Sequence, residues 1–243
     1  MATPSGTVRM ERVGESNDIA LFTLDRPEKS NAYHDGMISR FSEQLTAAVA
    51  DPSICAGIVT GGGGKVFCAG ADLSGLVGRT YEDGLDLPSR QLFDDWANAP
   101  WATVAAIRGP AVAGGLELAL ASDYRICSHS SWFSLPEIGL GLIPAAGGIR
   151  RLTTIVNEAR AKAMILFGQK VDSATALEWG LVSQISEHVL DDAIRLAEVS
   201  ARQDALATRL AKATLQSIST RPGDTDLEAV TQALLYHRKT QTV

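Results

Sequence analysis

The stretch "AAIRGPAVAGGLELALASDYRI", residues 105–126, holds the pattern that decides the fold. It begins inside a short apolar run, "ATVAAIRG", that reads as a buried strand. Gly114 and Gly115 then open "GGLELALASD", a short apolar helix. The chain returns to strand-like sequence in "YRICSHSSWFSL". The same order continues on both sides. Upstream, "IALFTL" (19–24) reads as a strand stopped by the turn-rich "DRPEKSNA". Met37, Ile38, Phe41, Leu45 and Val49 then fall at helical spacing, ending near Asp51-Pro52. "CAGIVTG" is another apolar strand, and "SRQLFDDWANA" is helical after a polar, charged approach. Downstream, "AAGGIRRLTTIV" and "EARAKAMILFG" read as helices, "SATALEWGLV" as a shorter one and "VSQI" as a strand. From Leu190 onward only helical spacing remains, through "DLEAVTQALLYHRK". Alternation followed by helices alone predicts an α/β layered core over 1–185 and a helical region over 186–243.

The bulk properties narrow the function. Of 243 residues, 45% are hydrophobic and 21% charged, enough apolar material for a packed core. A net charge of −6 argues against a general binder of nucleic acid or anionic membrane. Cys55, Cys68 and Cys127 form no paired framework, which suits a reducing compartment. The histidines are scattered, and neither C-x-x-C nor H-E-x-x-H occurs, so no metal site is expected. The first residues carry no basic-then-apolar leader, and no long charge-free apolar run follows. The expectation is a cytoplasmic protein without a membrane span.

"TGGGGKVFCAGADL", residues 60–73, resembles a phosphate cradle at first sight. A P-loop needs G-x-x-x-x-G-K-[ST], but Val59 falls on its first glycine and Val66 on its hydroxyl position. The glycine run reads instead as a turn after a strand. Attention moves to Ala69-Gly70-Ala71 and to Gly114-Gly115, each placed just after a buried strand. Glycines there serve either tight helix–strand packing or the close approach of a ligand to backbone N–H groups. Two such N–H groups from two loops can form an oxyanion hole, in which one donor is worth about 3 kcal/mol. Glu117 lies inside the apolar "GGLELALA" and Glu137 inside "FSLPEIGLGLIP". A glutamate in apolar surroundings has a raised pKa suited to proton transfer near neutrality. The competing reading is a solvated carboxylate on a helix or loop edge.

In combination these segments resemble the enoyl-CoA hydratase/isomerase (crotonase) family. The resemblance rests on "DRPEKSNA", "GIVTGGGGKVFCAGADL", "AAIRGPAVAGGLELALASDYRI", "FSLPEIGLGLIPAAGGIRRL" and "ATALEWGLV", in the family's order. It implies a crotonase-like spiral of β-β-α turns with a C-terminal helical trimerisation region, here shortened. It implies oxyanion-hole N–H groups on Ala71 and Gly114, and catalytic glutamates at Glu117 and Glu137. Having both glutamates points to hydration of a 2-enoyl-CoA, with isomerisation or non-catalytic CoA-ester binding as rivals. Arg26 and Lys29 become candidate anion contacts for CoA, and Ala32, Ala69, Gly70, Asp72 and Leu73 line its path. CoA arrives on the acyl-CoA thioester, so no metal or redox cofactor is expected; a homotrimer or dimer of trimers is. Three departures stand out. Tyr33-His34 replaces the usual leucine-polar pair, Ala145 replaces a glycine beside the expected water site, and the last helix usual in the family does not follow "TQALL". A more open acyl end is the corresponding expectation.

Overall fold

The computed structural model describes residues 6–75 and 79–220. The chain opens with β1 (Thr7–Val13), β2 (Ile19–Asp25), α1 (Asp35–Ala50) and β3 (Ala56–Gly61). Next come α2 (Tyr81–Leu85), α3 (Pro88–Ala97), β4 (Ala102–Ile107), β5 (Ala111–Val112) and α4 (Gly114–Leu120). β6 (Tyr124–Cys127), β7 (Trp132–Ser134), α5 (Gly148–Val156), α6 (Glu158–Leu166) and β8 (Val171–Asp172) follow. The described chain closes with α7 (Ser173–Glu178), β9 (Gln184–Ile185), α8 (Val189–Ala201) and α9 (Ala205–Thr220).

The strands form a large sheet in the order β1-β2-β3-β4-β6-β9 and a small one in the order β5-β7-β8. The large sheet is parallel except for β1 against β2. Chain order and sheet membership together give the spiral. β4 runs in the large sheet, β5 in the small one, and α4 follows; β6, β7 and α5 repeat the cycle. Parallel neighbours need such crossovers, because a tight hairpin only joins antiparallel strands.

Alternation along the central strands gives the large sheet two apolar faces. Ala20, Phe22 and Leu24 of β2, Val59 of β3, and Ala105 and Ile107 of β4 face the main core. There Phe22 stacks on Phe41 at 4.9 Å and meets Trp96 edge-on at 5.5 Å. Ile19, Leu21, Ala56, Ile58, Val104, Ala106 and Ile126 face the other way. α8 covers that second face with Val189, Ala193 and Ala197, one residue per turn. The expected division after residue 185 therefore runs through one packed body. α9 also docks on the core: Lys212 Nζ donates to Trp101 O at 2.9 Å and pairs with Asp123 at 2.7 Å.

Three local expectations need correction. β1 leaves no apolar run in the sequence, because only Val8 is fully buried and the partly buried Met10 and Val13 are separated by the exposed Arg9, Glu11 and Arg12. "YRICSHSSWFSL" is not one strand. Ser131 N donates to Ser128 O, and this turn sends the chain from the large sheet into the small one. α2 forms within the polar approach, opened by a capping box of Thr80 and Asp83. The glycine run after β3 is a turn as expected, with Gly63 and Gly64 in the left-handed region. The helix expected over 226–239, with Leu227, Val230, Leu234 and Leu235, lies outside the described residues.

Candidate active site

Two loops meet at the carboxyl ends of β3 and β4. Tyr33 pairs with residues 70–72: its N–H donates to Gly70 O at 2.9 Å and its O accepts from Asp72 N at 2.8 Å. In this parallel bridge Tyr33 makes both bonds, so the N–H of Ala71 points away from it. Cys68 likewise pairs with 110–112, its O accepting from Val112 N at 3.0 Å. The second loop then turns sharply at Ala113, whose φ of 51° and ψ of −131° are strained for a residue with a Cβ. That turn presents Gly114 N–H as the first donor of α4. Among the described residues neither Ala71 N–H nor Gly114 N–H donates to a protein group. The loops touch: a Cβ on Gly70, φ +93°, would lie 3.0 Å from Gly114 N and 2.9 Å from Ala113 Cβ. Gly70 is therefore required both by its backbone conformation and by this close approach.

Glu117 projects from the first turn of α4 and is buried. Its Oε1 accepts from Ala146 N and Gly148 N, each at 2.8 Å. Gly148 permits this, because a Cβ there would lie 2.8 Å from the same oxygen. Burial raises the Glu117 pKa, while the two N–H donors and then the Arg151 and Arg90 charges oppose the rise. Glu137 follows Pro136 at the start of a 3₁₀ turn, Glu137–Leu140. It is also buried, with Oε2 lacking a hydrogen-bond partner. Burial, reinforced by the charge of Glu117, pushes it up to about 7. The edge-of-helix alternative is thus excluded for both. One carboxylate is held by two donors and the other is poised to carry a proton near neutral pH, a division suited to paired acid–base work.

The segments expected along the CoA path are present, with one correction. Lys29 and Leu73 are exposed, Ala32, Ala69 and Asp72 are half-buried, and Gly70 is buried. Ala69 N donates to Ser30 O at 3.1 Å, which joins the two segments. Asn31, itself left-handed, rivets them with Nδ2 on Gly62 O and Val66 O. Arg26 is not a surface anion contact: its guanidinium is buried, 2.7 Å from Asp72 and 3.0 Å from Ala32 O. The Ser74 hydroxyl and then Arg26 hold the Asp72 carboxyl well below the usual range. Arg26 and Asp72 therefore brace the loops internally. Ala145 sits half-buried, its O accepting from Arg90 Nε at 3.1 Å.

Tyr33 packs against the opening of α4, although nothing in its sequence context marks it for the site. Its hydroxyl lies so close to Gly114 that a Cβ on the glycine would fall 2.0 Å from it. The ring meets Phe93 edge-on at 6.0 Å, and Ser89 hydrogen-bonds the phenol. Burial, then the nearby Glu117 charge, raise its pKa far above the usual value. An aromatic at a turn, with a glycine far along the chain needing space, is the only trace of this in the sequence.

A sequence model described as enoyl-CoA hydratase/isomerase matches residues 14–242. The chain belongs to that family. Its fold is that of the crotonases. An enoyl-CoA hydratase structure from Bacillus anthracis superimposes with a TM-score of 0.89 at 29% identity, covering 95% of this chain and 91% of that one. Pseudomonas aeruginosa DspI gives 0.89 at 32% identity, covering 96% of each chain. The mitochondrial enoyl-CoA hydratase of Pongo abelii is 34% identical, over 83% of this chain and 70% of its own. The 2,3-dehydroadipyl-CoA hydratase of Escherichia coli is 35% identical, over 84% and 80% respectively. These likenesses support crotonase-type acyl-CoA hydratase/isomerase chemistry for this member of the family.

Proposed function

We propose that the protein is an enoyl-CoA hydratase, adding water syn across the double bond of a 2-enoyl-CoA to give a 3-hydroxyacyl-CoA. The observation that carries this reading is the pair Glu117 and Glu137, both buried with raised pKa, beside two unclaimed backbone N–H groups. The thioester oxygen accepts from Ala71 N–H and Gly114 N–H, which stabilise the enolate-like charge that develops on it. Glu117, as carboxylate, takes a proton from water while the water oxygen bonds C3. The C2=C3 π pair moves toward C2, and Glu137 delivers its proton there. Isomerisation needs only one proton-transferring carboxylate, so the presence of two favours hydration. Lys29 and the backbone around Ala69 accompany the CoA moiety, which comes and leaves with substrate.

A turnover screen with 2-enoyl-CoAs of short, medium and long chain, alongside 3-enoyl-CoAs, tests the assignment. Water-dependent loss of the conjugated thioester absorbance is expected. Conversion of 3-enoyl substrates without hydration would make it an isomerase, and binding without turnover a non-catalytic subunit. We also propose a trimer or dimer of trimers. The 3₁₀ turn 137–140 packs beside α6, and this region exposes Ile138, Leu140, Leu142, Ile143, Leu166 and Phe167. An apolar patch of this kind marks an interaction surface. Sedimentation at micromolar concentration should show no active monomer.

A further inference from the structure

Three titratable side chains interact around the opening of α4, and the proposed mechanism uses only two of them. Glu117 spends Oε1 on two backbone donors, and Glu137 has a buried Oε2 with no partner. The third is Tyr33, whose hydroxyl packs against Gly114 at the opening of the helix that carries Glu117. The phenol is within electrostatic reach of both glutamates, yet its hydrogen bond is to Ser89. Its place is fixed from three directions. Backbone bonds tie residue 33 to Gly70 and Asp72, Phe93 buttresses the ring, and Gly114 leaves room for the hydroxyl by lacking a Cβ. The phenol packs against Gly114 and bonds neither glutamate.

Hydration, the reading on which this inference rests, needs a water that Glu117 and Glu137 both reach. A water that donates one hydrogen to each carboxylate has two lone pairs left. One attacks C3, and the other needs a donor if the attack line is to be fixed. Glu117 accepts as a carboxylate and the proton of Glu137 is committed to C2, so the phenol is the side chain in this cluster left to donate. We propose that Tyr33 is a positioning residue for the nucleophile: its O–H donates to the water oxygen, and then to the 3-hydroxyl oxygen of the product. Ser89 keeps the phenol turned toward that task.

The role predicts a split between two reactions of one site. Removal of a Cα proton from a saturated acyl-CoA transfers that proton to Glu137, with the electron pair held as an enolate on the Ala71 and Gly114 N–H groups. Return of a solvent deuteron completes the exchange, and no water attacks C3. Tyr33→Phe should therefore lower hydration kcat roughly 10–100-fold, the scale of a lost orienting contact. KM should stay within about threefold, and deuterium exchange into butyryl-CoA within about threefold. Ser89→Ala, which keeps the phenol, should give a smaller fall in hydration and the same unchanged exchange. Circular dichroism melting of each variant monitors folding. Hydration within about twofold of the parent in Tyr33→Phe overturns the proposal. So does an equal fall in hydration and exchange, which would mark a disturbed oxyanion hole or scaffold. A parent protein that exchanges protons but does not hydrate any enoyl-CoA defeats the hydratase reading, a separate failure.

Discussion

Replacing Glu137 by glutamine separates what the proposed chemistry needs from what the fold prefers. Burial and the neighbouring Glu117 charge move this carboxyl from its usual 4.5 up to about 7. The folded protein therefore holds the proton more tightly than the unfolded chain does. This group's contribution to stability is complete below its unfolded pKa and is lost as pH rises through about 7. At about 1.4 kcal/mol per pH unit the interval amounts to about 3 kcal/mol, and about 2 kcal/mol once relaxation of a partly hydrated cleft is allowed. Glutamine cannot ionise, so Glu137→Gln escapes that loss. Its stability relative to the parent should improve by about 2 kcal/mol between pH 5 and pH 8, equivalent to roughly 4–8 °C in Tm. Urea unfolding of both proteins at both pH values, at one protein concentration, measures this; the double difference cancels pH-independent effects of the substitution. The same variant should lose at least about 100-fold in hydration kcat. A double difference near zero, or one of opposite sign, would refute the claim that the folded site prefers a neutral Glu137.

Glu117→Gln should also lower hydration kcat by at least about 100-fold with the fold retained, since the amide oxygen can still accept from Ala146 N and Gly148 N. Steady-state kinetics with a short 2-enoyl-CoA will show it. The kcat profile should be bell-shaped: activity falls as pH rises through about 7, when Glu137 gives up its proton, and falls at low pH, when Glu117 takes one. A profile flat from about pH 6 to 9 would contradict these roles. Gly70→Ala should destabilise the protein by about 1–3 kcal/mol and suppress turnover, because the residue is left-handed and faces Gly114 N. Calorimetry and a turnover assay test both halves. Lys65→Ala should leave catalysis within a few-fold of the parent, and ATP with magnesium should not compete with acyl-CoA; magnesium-dependent ATP binding lost in that variant would revive the P-loop reading.

Much of the spiral was legible because its punctuation is local. Gly61 to Gly64, Asp51-Pro52 and Gly168 mark boundaries, and α1 writes its buried face at helical spacing in Met37, Ile38, Phe41 and Leu45. β1 escaped because an edge strand with one polar face leaves no apolar run. The burial of Glu117 and Glu137 was foreshadowed by their apolar neighbours. The roles of Arg26 and Tyr33 were not, since each depends on partners far along the chain. A guanidinium reads as surface until Asp72 is found beside it, and a phenol reads as core until Gly114 and the glutamates converge on it. The helical pattern after Leu190 was clear, but an amphipathic stripe does not name its target; for α8 the target is the sheet of its own chain.

That last contact sets a schedule for the protein's birth. Ile19, Leu21, Ile58, Val104 and Ile126 emerge from the ribosome long before Val189, Ala193 and Ala197 arrive to cover them. At typical synthesis rates the gap between β6 and the end of α8 lasts roughly 4–15 s. Through that interval the nascent chain carries five of the six strands of the large sheet with one greasy side bare, a surface suited to chaperone capture or to premature meetings between neighbouring polysomal chains. Synthesis that stalls before α8 would therefore yield an aggregation-prone fragment rather than a smaller soluble domain.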